Sequence, residues 1–256
     1  MLKIKNLTTG YDNQIVLQDI ALNLSLGENL CILGANGSGK STLLKAISGI
    51  LKYEGSILLF DKEVKNQKPI ELSQKLARLS QTTNVYFPHT VFDTVMLGRY
   101  NKLSKNVFEK PSKAHYEYVD YCLNIVGAYE LRNRKINTLS GGQLQKVMLA
   151  RALAQEPSVI LLDEPSNHLD LKSQMELFNF LAQWSADKNH TVIAVLHDVL
   201  QGLKFFDRIV LLKNGIIHFD GDTSQVQSTK LEEVYDFNVT QYLNELYNKL
   251  NQLKHT

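Results

Sequence analysis

The chain has 256 residues, 44% of them hydrophobic, enough for one substantial core or for one core with an inserted lobe. Its formal net charge of +2 comes without a basic run, so nothing asks for a nucleic-acid partner. Cys31 and Cys122 read as buried small hydrophobes on a strand and a helix, suggesting a reducing compartment, and the histidines share no ligand spacing with them, so no structural metal is expected. No apolar run approaches a membrane span, and the first residues read as a strand rather than a signal peptide.

In chain order, residues 2–7 and 15–26 cluster or alternate apolar side chains as sheet strands do, with the turn-prone GYDNQ between them. The apolar run 29–33 then leads into GANGSGKS, residues 34–41, which fits the phosphate-binding template G-x-x-x-x-G-K-[ST] and continues into a helix. Glycines there let backbone N–H groups close on phosphate oxygens, and the helix N-terminus adds its positive end. Gly34, Asn36, Gly37, Ser38, Gly39, Lys40, Ser41 and Thr42 are the candidate nucleotide-binding residues, with Lys40 reaching the outer phosphates and Ser41 ligating magnesium.

Residues 57–60 extend the small antiparallel sheet, and residues 76–80 read as a strand ending at Gln81. From residue 84 to 136 the pattern turns helical, with Tyr116, Val119, Leu123 and Val126 in phase after a polar stretch at 104–113. LSGGQ at 139–143 opens a helix expected over 143–154, a second anion-binding helix N-terminus. One nucleotide needs only one such cradle, so the second suits a nucleotide held by another copy. The run 159–162 suits a buried parallel strand that delivers Asp163 and Glu164 beside the phosphates, Asp163 for magnesium and Glu164 as general base. A strand over 191–196 ends at His197, and residues 209–212, Asn214-Gly215 and 216–219 read as strand, tight turn and strand.

Paired nucleotide motifs with LSGGQ between them resemble the ATP-binding cassette (ABC) ATPases over residues 1–223. The resemblance implies an α/β fold: a P-loop ABC ATPase core (1–83 and 157–223) with an antiparallel β subdomain, an inserted helical subdomain (84–156), and a C-terminal helical extension at 224–256. It implies ATP and Mg²⁺ as ligands, and a homodimer in which Ser140, Gly141, Gly142 and Gln143 of one copy complete the site of the other. By the same resemblance, Tyr11 stacks on adenine, Gln81 senses magnesium and the attacking water, Asp170 of SNHLD lines the dimer seam, and His197 contacts the terminal phosphate. Tyr11 also reads as a strand-end core tyrosine, and that alternative stays open.

FPHTVFDTVMLGRY, residues 87–100, looks like the segment of iron-chelate, haem and cobalamin importer ATPases near the groove for the permease's coupling helix. The resemblance implies a polytopic membrane permease as partner, a substrate-binding protein contacted only indirectly, and a peripheral place on the cytoplasmic face of the membrane. Manganese and zinc importers carry a similar stretch, and soluble cassettes of translation or iron–sulfur assembly are the other class; SNHLD favours the iron-chelate group. Phe87 and Phe92 also read as core aromatics and Arg99 as a solvated charge. In the tail, Leu243, Leu246, Leu250 and Leu253 recur at helical spacing from Val239, reading as a helix packed on its own subunit or as a contact across the dimer.

Overall fold

A computed structural model describes residues 1–12, 14–80, 89–102, 111–167 and 169–252. Gln81, Phe87, His168 and Leu253 lie outside them.

Two sheets organise the chain. β1 (Leu2–Tyr11) pairs antiparallel with β2 (Gln14–Leu24) and with β4 (Glu54–Leu59), and β5 (Lys62–Glu63) closes the edge, giving the order β2-β1-β4-β5. The six-stranded sheet runs β10 (Ile216–Asp222), β9 (Arg208–Lys213), β3 (Leu30–Leu33), β8 (Thr191–Val195), β7 (Val159–Asp163) and β6 (Leu76–Leu79). All of its pairings are parallel except β9 with β10. A parallel sheet is covered on both faces, so its strands are short apolar runs instead of alternating ones.

The two faces feed two cores. Leu30, Ile32, Leu161, Val195 and Val210 pack with the antiparallel sheet and with α1 (Lys40–Ile47). Cys31, Leu33, Ile160, Ala194 and Leu211 pack against α3 (Val91–Met96), α4 (Lys113–Ile125), α5 (Gly141–Leu153) and α6 (Leu171–Ser185). Both cysteines are fully buried, on β3 and α4 as expected; burial raises the Cys31 thiol well above its ordinary pKa and pushes Cys122 up to about 12. Asn214 and Gly215 form the turn between β9 and β10, both at positive φ, and a Cβ on Gly215 would lie 2.1 Å from the Val16 carbonyl oxygen. α2 (Pro69–Ser73) precedes β6, and α7 (Val199–Phe205) follows β8.

The helical pattern expected from 84 to 136 is met, among the described residues, by separate helices and turns. Its described part holds the short α3, 3₁₀ turns over Leu97–Asn101, Tyr129–Leu131 and Ile136–Thr138 at its end, and α4. A capping box in which Thr90 and Asp93 cap each other starts α3. Arg99 is not a solvated charge: it is 6% exposed. Its Nη1 donates to the Ala154 carbonyl (2.8 Å) and Glu156 Oε1 (2.9 Å), its Nε to His115 Nδ1 (3.2 Å), and its guanidinium lies 4.5 Å over Tyr118. It therefore ties the turn after α3 to α4 and to the end of α5. Arg99→Ala leaves the buried Ala154 carbonyl without its side-chain donor and Glu156 with Lys102 as its remaining cation, an expected loss of about 2–3 kcal/mol. Thermal unfolding should show it as a melting midpoint roughly 5–10 °C lower.

Leu231 and Val234 of α8 (Ser228–Tyr235) are buried in the same core as the six-stranded sheet. α9 (Val239–Gln252) packs on its own subunit only at its start, where Val239 is buried and Leu243 half-buried; Leu250 is 61% exposed.

Candidate functional site

The carboxyl ends of β3, β8 and β7 stand side by side, and the loops that leave them converge. β3 runs into Gly34 and a glycine turn that ends at Gly39, the residue before α1, with φ 103°. A Cβ there would meet Leu17 Cδ2 at 2.6 Å, so both the conformation and the close approach call for glycine. The turn opens a cavity of about 330 Å³ lined by Asn36, Gly37, Ser38, Gly39, Lys40, Ser41, Thr42, Val16 and Glu164. No residue of 139–143 lines it.

Lys40 is folded back on its own loop, Nζ donating to the carbonyls of Gly34 (2.8 Å) and Ala35 (3.0 Å). Burial lowers its pKa, opposed by the charges of Glu164 and Asp163. The Ser38 hydroxyl is buried beside Gly34 and unpartnered among the described residues, a polar group that a bound anion's oxygens would satisfy after a small turn. Ser41 Oγ donates to Asp163 Oδ1 at 2.8 Å, so two oxygen donors on different elements meet at one point. Hard oxygens of this kind suit magnesium, and the residues fit that ion.

β7 ends at Asp163, and Glu164 follows with φ 53°. Its carboxylate lies against His197 (Oε1 to Nε2, 2.5 Å) and Asn167, whose Nδ2 donates to Oε2 at 2.5 Å. The positive φ and the backbone bond from Glu164 N to the Val195 carbonyl (3.0 Å) turn this side chain toward the end of β8. Tyr11 is 40% exposed at the end of β1 and is not a core tyrosine; its hydroxyl accepts from Lys45 Nζ at 3.0 Å.

Ser140 caps α5. Its hydroxyl accepts from Gln143 N (3.3 Å) while Gln143 Oε1 accepts from Ser140 N (3.1 Å). Gly141 is the first residue of that helix, and a Cβ on Gly142 would lie 3.3 Å from Leu169. Asp170 caps α6, accepting from Ser173 N at 2.7 Å, and that bond holds its carboxyl below the usual range. Gln145 donates to the Pro165 carbonyl (2.9 Å) and Gln174 to that of Ser166 (3.2 Å), fastening the loop between Glu164 and Asp170 to α5 and α6.

The structure thus brings together the phosphate loop, Asp163, Glu164 and His197. The cap at Ser140 and the loop at Asp170 belong to other helix ends of the chain, and Gln81 lies outside the described residues. Sequence reasoning missed Asn167 and Arg78. Asn167 lies three residues after Glu164 in a loop already singled out. Arg78, a cation inside an apolar strand, donates from Nη2 to Asp163 Oδ2 at 3.3 Å.

Comparison with known proteins gives the family of the chain. The family model for the ABC transporter domain matches residues 17–167. An uncharacterized ABC transporter ATP-binding protein of Methanocaldococcus jannaschii is 36% identical over 236 residues, covering 92% of this chain and 91% of the relative. The hemin import ATP-binding protein HmuV of Rhodopseudomonas palustris (strain BisA53) is 39% identical over 227 residues, 85% and 81%. The phosphonates import ATP-binding protein PhnC of Fusobacterium nucleatum is 33% identical over 241 residues, 92% and 98%. Among solved structures, an inward-facing ABC transporter assigned to the metal-chelate type superposes with TM-score 0.79 at 30% identity, covering 91% of this chain and 88% of that one. A dimeric post-hydrolysis cassette bound to ADP and Pi gives 0.77 at 31%, covering 87% and 99%. With the family model spanning more than half its length and the nucleotide motifs assembled at one sheet edge, this chain belongs to the ABC transporter family and is an ATPase coupled to transmembrane transport.

Proposed function

We propose that the chain is the ATP-hydrolysing subunit of an importer that takes up an iron–siderophore, haem or cobalamin-type chelate through a separate polytopic permease. The observation that carries the cargo class is the likeness to a hemin import ATPase together with a metal-chelate type transporter. PhnC favours a second reading, an importer of another cargo, because a cassette of this kind does not itself touch what is carried. No described helix is long and apolar enough to cross a membrane, which fits a subunit that docks on a pore formed by another chain. Residues 87–100 would face that pore, with the substrate-binding protein reached only through it. Residues 1–223 would form the ATPase domain, with 84–156 as its helical lobe.

In this reading the loop N–H groups, Ser38, Lys40 and Thr42 hold the phosphates of ATP, and Tyr11 carries the adenine. Lys40 leaves its loop carbonyls to reach the outer phosphates. Ser41 and Asp163 would hold Mg²⁺, which when bound supplies neutralisation of the phosphate charge. Glu164 takes the proton of the attacking water, while Asn167 and His197 orient its carboxylate. His197 also contacts the terminal phosphate, and Gln81 orients the water. Ser140, Gly142 and Gln143 of a second copy close on the same phosphates, and Asp170 lies in the seam.

A tagged Glu164→Gln form purified from membranes of its own host with ATP present tests the proposal. Mass spectrometry should find a polytopic permease with it. Ribosomal or iron–sulfur assembly proteins without a permease would overturn the importer reading, and a permease beside a phosphonate-type binding protein would overturn the cargo class.

A further inference from the structure

Arg78 has no part in the scheme above, yet its position is unusual for a cation. It sits in the middle of β6, between the buried Ala77 and Leu79, and pairs in register with Leu161 of β7, two residues before Asp163. Its side chain is 14% exposed and that of Asp163 only 4%. A nearly buried guanidinium costs stability unless it is paired, and an apolar residue of similar size would serve the strand as well or better. Its ion pair among the described residues is with Asp163, through one of five N–H donors. Its Nε, also buried, is unpartnered among them. An arginine that served only to neutralise a carboxylate would be expected to grip it with two donors. This one bonds the carboxylate oxygen that Ser41 does not: Ser41 holds Oδ1 and Arg78 holds Oδ2.

We propose that Arg78 is a positioning residue for the metal site: it holds Asp163 as a built-in counter-cation while the metal is away, and it raises the free magnesium concentration needed to hold the nucleotide. The inference rests on the assignment of Ser41 and Asp163 to that ion. Arg78 and a cation held by Ser41 share one carboxylate, so they stand within about 8 Å and repel. Even at the dielectric constant of water, a single charge acting on a divalent ion at that range changes its affinity on the order of five- to tenfold. Arg78 also keeps the carboxylate from swinging away when the ion leaves with the products.

The test is a magnesium titration of ATP binding, not of turnover. Three proteins are compared, Glu164→Gln alone and with Arg78→Leu or Arg78→Lys added, each at fixed radiolabelled ATP while free Mg²⁺ is varied. The expected result is a half-saturating Mg²⁺ concentration five- to tenfold lower for Arg78→Leu and nearly unchanged for Arg78→Lys. A curve for Arg78→Leu that stays in place or moves to higher Mg²⁺ overturns the proposal and leaves Arg78 a structural residue. Arg78→Met replaces Arg78→Leu if the latter does not fold, with the same two outcomes. If Glu164→Gln alone binds no ATP, the nucleotide-site assignment fails instead, so the two failures are distinguishable.

Discussion

Glu164→Gln should bind ATP as tightly as the wild type and hydrolyse it about a hundred- to ten-thousand-fold more slowly, the range lost when a general base is removed. The geometry favours a clean result. Glutamine keeps the length of the side chain, its carbonyl oxygen can still accept from Asn167 Nδ2, and its amide can donate to a neutral His197 Nε2. Only the ability to take a proton is lost. Phosphate release under single-turnover conditions, read beside ATP binding, checks it. Turnover near the wild-type rate would remove Glu164 from the role of base.

Ser140→Arg acts on a different step. The substitution removes a helix cap, which costs roughly 1 kcal/mol, so the chain should still fold. Nucleotide should still bind, because the cavity over the phosphate loop is lined without any residue of 139–143. What should fail is closure of two copies on ATP: in a two-fold pair the bulk appears at both sites, and a loss of at least about 2.7 kcal/mol weakens association a hundredfold or more. Sedimentation of the Glu164→Gln protein with and without Ser140→Arg, at saturating ATP, reads this directly. Equal dimer formation would refute the shared site.

Much of the fold and the phosphate site was legible because its chemistry is local. A strand, a glycine turn and a helix follow one another in GANGSGKS, and the run before Asp163 and the run before His197 are short and apolar enough to be buried parallel strands. The turn at Asn214-Gly215 was readable for the same reason. The parts that escaped depend on residues far apart in sequence. Arg78 meets Asp163 only because β6 lies beside β7, and nothing near Arg78 announces that pairing. Arg99 reads as a surface charge until the end of α5 is placed over it. Asn167 becomes a partner of Glu164 only through the left-handed backbone at Glu164. The tail shows the limit of periodicity: its leucines predict a helix, which forms, but the same spacing does not say how far along that helix a surface is available to cover them.

The central claim is that each ATP is enclosed by the phosphate loop of one copy and the LSGGQ turn of another. Cross-linking tests it with the fewest intermediate steps, and because Cys31 and Cys122 are fully buried, the native thiols should stay silent. One copy carries Asn36→Cys, a second copy with a tag of different size carries Ser140→Cys, and a short bifunctional thiol reagent is added with and without ATP. The account predicts a cross-linked species containing both tags that forms with ATP and not without it. A yield that ignores ATP, or no cross-link between the two tagged copies at any nucleotide concentration, would contradict it.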